Sequence, residues 1–198
     1  MQNSSKIHRI YDNYYFHIQQ IFDEIRSILG DDNDEILKKI VLKKNDYLLR
    51  EGDYCKTINY LKSGLLRIFY INNTIEVVTS FAFSFDVTTI LRSFLLNEPS
   101  RESIQAITDC EVYSISIEKY LTLKIKYPRI AKLDAKITQC YAIILEERLF
   151  SLKFHTAAER YQMILEHEPL IVKYVPLTYI ASYLGITLET LSRIRARK

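Results

Sequence analysis

Cysteine is scarce in this chain, tryptophan is absent, and neither sign of charge dominates. The three cysteines, Cys55, Cys110 and Cys140, lie far apart with no C-x-x-C pair. That excludes a disulfide scaffold and a thiolate metal site, and points to free thiols in a reducing cytoplasm. No secretory leader opens the sequence, which also fits a cytoplasmic location. No apolar run approaches the roughly 18 residues of a membrane helix, so no membrane span is expected. The four histidines, His8, His17, His155 and His167, show no ligand spacing, so neither metal nor cofactor is expected. A formal net charge of +3, from 27 Lys and Arg against 24 Asp and Glu, is too small to argue for nucleic acid by itself. No Cys–His, Ser–His–Asp or paired-carboxylate arrangement stands out, so nothing marks an enzyme. Glycine occurs only as Gly30, Gly52, Gly64 and Gly185, each at a break between periodic segments.

What the chain does have is apolar and aromatic content, with 15 Tyr and 9 Phe in 198 residues. That suffices for one good core with a small satellite domain, or for one large domain. Three textures follow one another. Residues 1 to about 39 are helical, with Ile18, Ile21, Phe22, Ile25, Ile28 and Leu29 at helical spacing and a break at Gly30-Asp-Asp-Asn. From 40 to 117 come short β-branched and aromatic runs: 40–42, 47–49, 58–61, 65–71, 75–83, 103–107 and 112–117. Turn signals at Glu51-Gly52-Asp53, Ser63-Gly64, Asn72-Asn73 and Asn97-Glu-Pro-Ser100 separate them. Many short strands at this spacing predict an antiparallel β-barrel or jelly roll, in an α+β chain. From about 118 helical periodicity returns.

In that last part Ile130, Leu133, Ile137, Cys140, Ile144 and Glu147 follow a 3-4 spacing just after Pro128. The pattern suits a coiled-coil seam between two copies or a helix packed on its own barrel. The final residues, Val175 to Lys198, hold two short helical patterns joined at Gly185. Ala181 sits where a second helix must come close, and Gly185 stands where a left-handed residue is wanted. Thr187 offers an N-cap, Glu189 lies in the first turn, and Ile186 with Leu191 matches a hydrophobic staple. Arg193, Arg195, Arg197 and Lys198 against one acid give this end a local charge of +3. Such a pattern reads as a helix-turn-helix holding a helix in a DNA major groove, or as a plain helical hairpin. Basic residues at a helix C-terminus also suit the macrodipole, but Arg193 stands too early for that account. A dimeric reader makes dimerisation through Ile130, Leu133, Ile137, Cys140 and Ile144 the preferred reading.

Helix, small β-barrel with Leu48-Leu49-Arg50-Glu51-Gly52-Asp53 and Leu61-Lys62-Ser63-Gly64-Leu65-Leu66-Arg67, long helix, then helix-turn-helix: the chain resembles the Crp/Fnr family of bacterial transcription regulators. The segment from Pro176 to Ile194 is very like the Bacteroidetes-type branch. The resemblance implies a sensor domain at 1–125, a dimerisation helix at 126–155 and a DNA-binding domain at 156–198. It also implies a homodimer on a palindromic double-stranded operator, with RNA polymerase as a further partner. The family opens its recognition helix with Ser/Thr-Arg-Glu-Thr and adds a later Arg. Thr187, Glu189, Thr190 and Arg193 match, and Leu188 replaces the first Arg. Glu189 would then accept from a cytosine amino group and Arg193 would reach guanine or phosphate, while Leu188 could meet only a thymine methyl. Thr187, Ser192, Arg195 and Arg197 would hold phosphates. After Lys198 there is little room for the β-wing that often follows, so either this branch lacks it or the sequence is truncated.

The sensor half departs further from the family. Cyclic-nucleotide binders hold the ribose with Gly-Glu and the phosphate with Arg-Ser/Thr-Ala, because a buried phosphate needs a paired cation. Here the first position reads Phe85-Asp-Val-Thr-Thr-Ile90 and the second Pro99-Ser-Arg-Glu-Ser-Ile104. Arg101 lies within one position of the expected cation, but Glu102 beside it would repel a phosphate, and both suit solvated loop charges. Cyclic AMP is therefore not the expected ligand. An iron–sulfur sensor is excluded because residues 1–54 contain no cysteine. A haem sensor would need His17 or His155 as axial ligand, and nothing in the sequence supports either. The remaining candidate is an unidentified small-molecule effector in a cavity rich in Tyr60, Phe69, Phe81, Phe83 and Phe85. Phe83, Thr88, Thr89, Arg101 and Ser103 are its candidate contacts, unless the barrel fills itself with its own side chains.

Overall fold

The computed structural model describes residues 2–29 and 36–196. Gly30-Asp-Asp-Asn, Arg197 and Lys198 lie outside the described residues. A long helix α1 (Gln2–Leu29) leads into strands β1 (Leu37–Leu42), β2 (Tyr47–Leu49), β3 (Thr57–Ser63), β4 (Leu65–Asn72), β5 (Ile75–Phe83) and β6 (Asp86–Thr88). The short helix α2 (Leu91–Leu96) precedes β7 (Ser103–Ala106) and β8 (Cys110–Ser116). Helices α3 (Ile117–Lys126), α4 (Pro128–Phe154), α5 (Ala157–His167), α6 (Pro169–Tyr174), α7 (Leu177–Leu184) and α8 (Leu188–Ala196) complete the chain. No helix of the described residues is long and apolar enough to cross a membrane.

The strands make two four-stranded sheets, ordered β1-β8-β3-β6 and β2-β7-β4-β5, with every pairing antiparallel. Leu61, Leu66, Ile104 and Val112 are fully buried in the cluster between them. The interior of the roll is therefore packed with its own side chains. Gly64 closes the turn from β3 to β4 at φ 109°, and a Cβ there would lie 2.5 Å from Cys110 Sγ and 2.6 Å from the Asp109 carbonyl. Only glycine fits so close an approach in that conformation. β6 and α2 were not expected, since three- and six-residue elements are too short to show a period.

Helix α4 begins at Pro128, whose fixed φ suits a first helical position, after the extended Tyr127. Its Ile130 and Leu133 are buried with Ile21 and Ile25 of α1, Ile115 of β8, and Tyr120 and Leu123 of α3. Ile137, Cys140 and Ile144 pack against Tyr14, Ile18 and Phe22 of α1. The seam expected between two copies is thus filled inside the chain. A 3-4 pattern says that a helix will cover the face, and here α1, lying alongside, is that helix. A second face remains. Ala131, Ala135, Thr138, Ala142, Leu145, Leu149 and Leu152 recur at 4-3-4-3-4-3 spacing, and all but the half-buried Ala131 are exposed.

The C-terminal helices share a core with the roll, in which Ile171, Ile180 and Leu191 pack with Leu65, Phe83 and Ile107. α7 lies on the free edge of β5. Ser182 Oγ accepts from the Val78 N–H at 2.9 Å and donates to the Glu76 carbonyl at 3.0 Å, satisfying edge groups that would otherwise be bare. Next to it Arg67, 3% exposed, lies between the rings of Phe69 and Tyr179 at 3.9 and 4.1 Å, and ion-pairs with Glu76 at 2.5 Å. A buried guanidinium is tolerable only with such pairing.

Candidate functional site

Two places concentrate chemistry, the surface of α8 and a cavity beside the roll. Gly185 adopts φ 69°, ψ 34° after α7, and the Gly185 and Ile186 N–H groups bond back to Ser182 and Ala181 carbonyls at 3.0 Å. This double bond is the Schellman closure that a left-handed residue permits. Thr187 Oγ1 then accepts from the Thr190 N–H at 3.2 Å, capping α8. Ala181, Leu184 and Leu191 are buried, and Ile186 and Ile194 pack against the same cluster, so the staple closes as the spacing implied. The opposite row of α8, Leu188, Glu189, Ser192, Arg193 and Arg195, is exposed, as is Thr187, while Thr190 is half-buried. Glu189 is held below the usual carboxylate range, first by its own backbone N–H, then by the Thr187 hydroxyl, with Arg193 adding to both. The outcome is a rigid helix carrying a polar and basic outer face.

The cavity, about 1090 Å³, lies between the roll and helices α1, α2, α3, α4, α5 and α7, with Glu168, the residue before α6, in its wall. Phe83, Thr88 and Thr89 line it, as do Tyr60 and Phe81. Two expected contacts do not. Arg101 is exposed on its loop, and Ser103 is buried elsewhere, accepting from the Glu51 N–H at 2.9 Å. The Ser100 hydroxyl bonds both the N–H and the carbonyl of Glu102, and this turn puts Glu102 in the wall where it accepts from Thr79 Oγ1 at 2.6 Å. A carboxylate therefore stands where a phosphate site would want a cation. Phe69 is core and Phe85 is exposed, so neither faces the cavity. His17 bonds Gln20 and His155 bonds Ser151, and neither lines the cavity.

Sequence reasoning missed most of the wall. Tyr11, Tyr14 and Tyr15 come from α1, Asp86 from β6, Tyr141 and Arg148 from α4, Glu168 from just ahead of α6 and Tyr183 from α7. The signal was present only as an excess of tyrosine, because no spacing links residues from five places in the chain. Asp86, 7% exposed, takes hydrogen bonds on Oδ1 from the Val87 N–H at 2.7 Å and Tyr14 OH at 3.2 Å. Burial pushes its carboxyl up to about 7 despite these bonds. Burial likewise pushes Glu168 up to about 7, with Arg148 opposing. Arg148 itself donates to the Thr79 carbonyl and lies 4.3 Å from the Tyr183 ring centre.

Comparison with known proteins bears on both places. Residues 39–127 match the Cyclic nucleotide-binding domain family. No curated protein sequence matches the chain. FixK2 from Bradyrhizobium japonicum superposes with a TM-score of 0.68 at 19% identity, over 82% of this chain and 84% of that one. A CooA mutant from Carboxydothermus hydrogenoformans gives 0.67 at 16% identity, over 86% and 81%. CLP of Xanthomonas campestris, described as a c-di-GMP responsive global regulator, gives 0.60 at 19% identity, over 82% and 86%. Residues 39–127 thus match the cyclic nucleotide-binding domain family, and the chain has the fold of FixK2, CooA and CLP.

Proposed function

We propose that the protein is a sequence-specific, DNA-binding transcription regulator that acts as a homodimer. The observation that carries this reading is the outer row of α8, capped, stapled and left exposed with Arg193 and Arg195 on it. A helix held this way can lie in a major groove. Glu189 then accepts from a cytosine amino group, Arg193 reaches guanine, and Leu188 meets at most a thymine methyl. Thr187, Ser192 and Arg195 hold phosphates, with Thr190 at the helix start; Arg197 has the same role but lies outside the described residues. Residues 1–125 act as sensor, 126–155 as dimerisation helix and 156–198 as DNA reader, with RNA polymerase as the downstream partner.

The dimer forms through Ala135, Thr138, Ala142, Leu145, Leu149 and Leu152, an exposed row of α4 of which Thr138, Leu145 and Leu152 also border the cavity. Small residues at one end let two helices approach, and leucines at the other supply the apolar contact. Outward-facing Arg101 and inward-facing Glu102 support an effector other than cyclic AMP. Effector binding shifts the population of α4 arrangements and with it the spacing of the two α8 helices. Leu188, exposed where the family carries an arginine, favours one second reading, a sensor module that no longer binds DNA. Fluorescence anisotropy on enriched genomic fragments separates the two. A reader loses affinity steeply as salt rises, and a module without DNA binding shows no such dependence.

A further inference from the structure

The tyrosine-lined end of the cavity holds more acid than its own cations can balance. Asp86, Glu102, Glu147 and Glu168 contribute carboxyl groups to the wall against Arg148 and Arg160, while Lys124 and Arg92, which also line it, pair with Asp134 and Glu98. Arg160 donates to the His155 and Leu184 carbonyls, and its Nε has no partner among the described residues. Arg148 is committed to the Thr79 carbonyl and the Tyr183 face. Among the described residues neither Asp86 nor Glu168 has an ion-pair partner within salt-bridge distance. Glu168 is half-buried, and among the described residues no hydrogen-bond donor reaches its carboxyl. Tyr11, Tyr14, Tyr15, Tyr141 and Tyr183 surround these two groups, and the Tyr14 and Tyr141 rings stack at 6.3 Å between centres. The volume of about 1090 Å³ lies just above the usual span of small-molecule sites, roughly 300–1,000 Å³. Apolar side chains such as Ile18, Phe83 and Ile144 complete the wall.

We infer that this end of the cavity binds an organic cation, a protonated or quaternary amine or an equivalent onium ion with an apolar body. The faces of tyrosine rings attract a cation, and a carboxylate in a cavity wall without an ion-pair partner is satisfied by one. An anionic nucleotide meets the opposite field. The inference deepens the sensor half of the proposed function and does not depend on DNA binding. The groups facing Asp86 are Tyr14 and Tyr15 of α1, Tyr141 of α4 and Glu168 just ahead of α6, while those facing Glu168 are Arg148 of α4, Tyr11 and Tyr15 of α1, and Tyr183 of α7. Burial pushes both carboxyls up to about 7, so a bound cation, which favours their charged forms, releases protons.

Tetraphenylphosphonium and tetraphenylborate, alike in shape and opposite in charge, are the probes. Each is titrated calorimetrically into the full chain at pH 8 and pH 6. The cation is expected to bind at least about tenfold tighter than the anion at pH 8, and to weaken at pH 6 as the carboxylates protonate. Glu168→Gln and Asp86→Asn should each lower cation affinity several-fold while leaving a cooperative thermal melt. The inference is overturned by equal binding of the two ions, by tighter binding of the borate, by no binding of either, or by a folded Glu168→Gln that binds the cation unchanged. No DNA is present, so such a failure leaves the DNA-reading proposal standing. A failure to bind DNA would equally leave the cavity result intact.

Discussion

The surface of α8 and the cavity beside the roll treat charge in opposite ways. On α8 the arginines stand in solvent, held by a cap, a left-handed glycine and a staple that all lie within a dozen residues. In the cavity Asp86 is buried and Glu168 half-buried among residues from α1, β6, α4 and α7. The first arrangement suits a polyanion that arrives from outside and is felt through water and salt. The second suits a small guest that replaces water, and it shifts the ionisation of its own walls. One chain can therefore carry a reader that is insensitive to neutral-range pH and a sensor that is sensitive to it.

Breaking the link between the two regions should have the largest effect. Leu149→Glu puts a charge into that row of α4, exposed in a single chain. It should convert the dimer to monomer by sedimentation, and lower operator affinity by about two orders of magnitude or more, since two half-sites no longer act together. On the opposite face Ile130→Ala should leave association intact and cost about 2–5 kcal/mol of unfolding free energy, because Ile130 is fully buried against α1 and α3.

Asp86→Asn sharpens the cavity side. The folded carboxyl titrates near 7 and the unfolded one near 3.8. The native state thus binds the proton more tightly, and this group's stabilising contribution is present below about 4 and lost as pH rises through 7. Asparagine keeps an acceptor for Val87 and Tyr14 and has no charge to bury. Chemical denaturation should show the variant more stable than the parent at pH 8, on the order of 3 kcal/mol, and equal to it near pH 4.

Arg193→Ala tests the reader alone. It should cost about 1–3 kcal/mol of operator affinity and relax preference at one base pair, with the thermal melt unchanged. Gly185→Ala is the mildest change. A Cβ there meets no atom within 4 Å, so only the φ of 69° is strained. The expected loss is about 1 kcal/mol of stability, measured by denaturant midpoint.

The contrast also explains what could be read from the sequence. The strand runs 47–49 and 75–83 coincide with β2 and β5, and Pro128 marks the start of α4, because alternation and proline act locally. Gly185, Thr187 and Leu191 announce their turn for the same reason. The seam of α4 was misassigned because a helical stripe does not name its partner, and α1 took it. Arg101 and Ser103 were misplaced because the turn at Ser100 sets which neighbour faces inward. The tyrosine wall was illegible because its members are brought together only by the fold.

The central claim is that α8 reads DNA as one half of a dimer. Its most direct test is selection of bound fragments from the parent genome across a salt series, followed by sequencing. The account predicts a palindromic motif with half-sites about one helical turn apart, and affinity that falls steeply as salt rises. Absence of any enriched motif at low salt, with or without a bound cation, would contradict it.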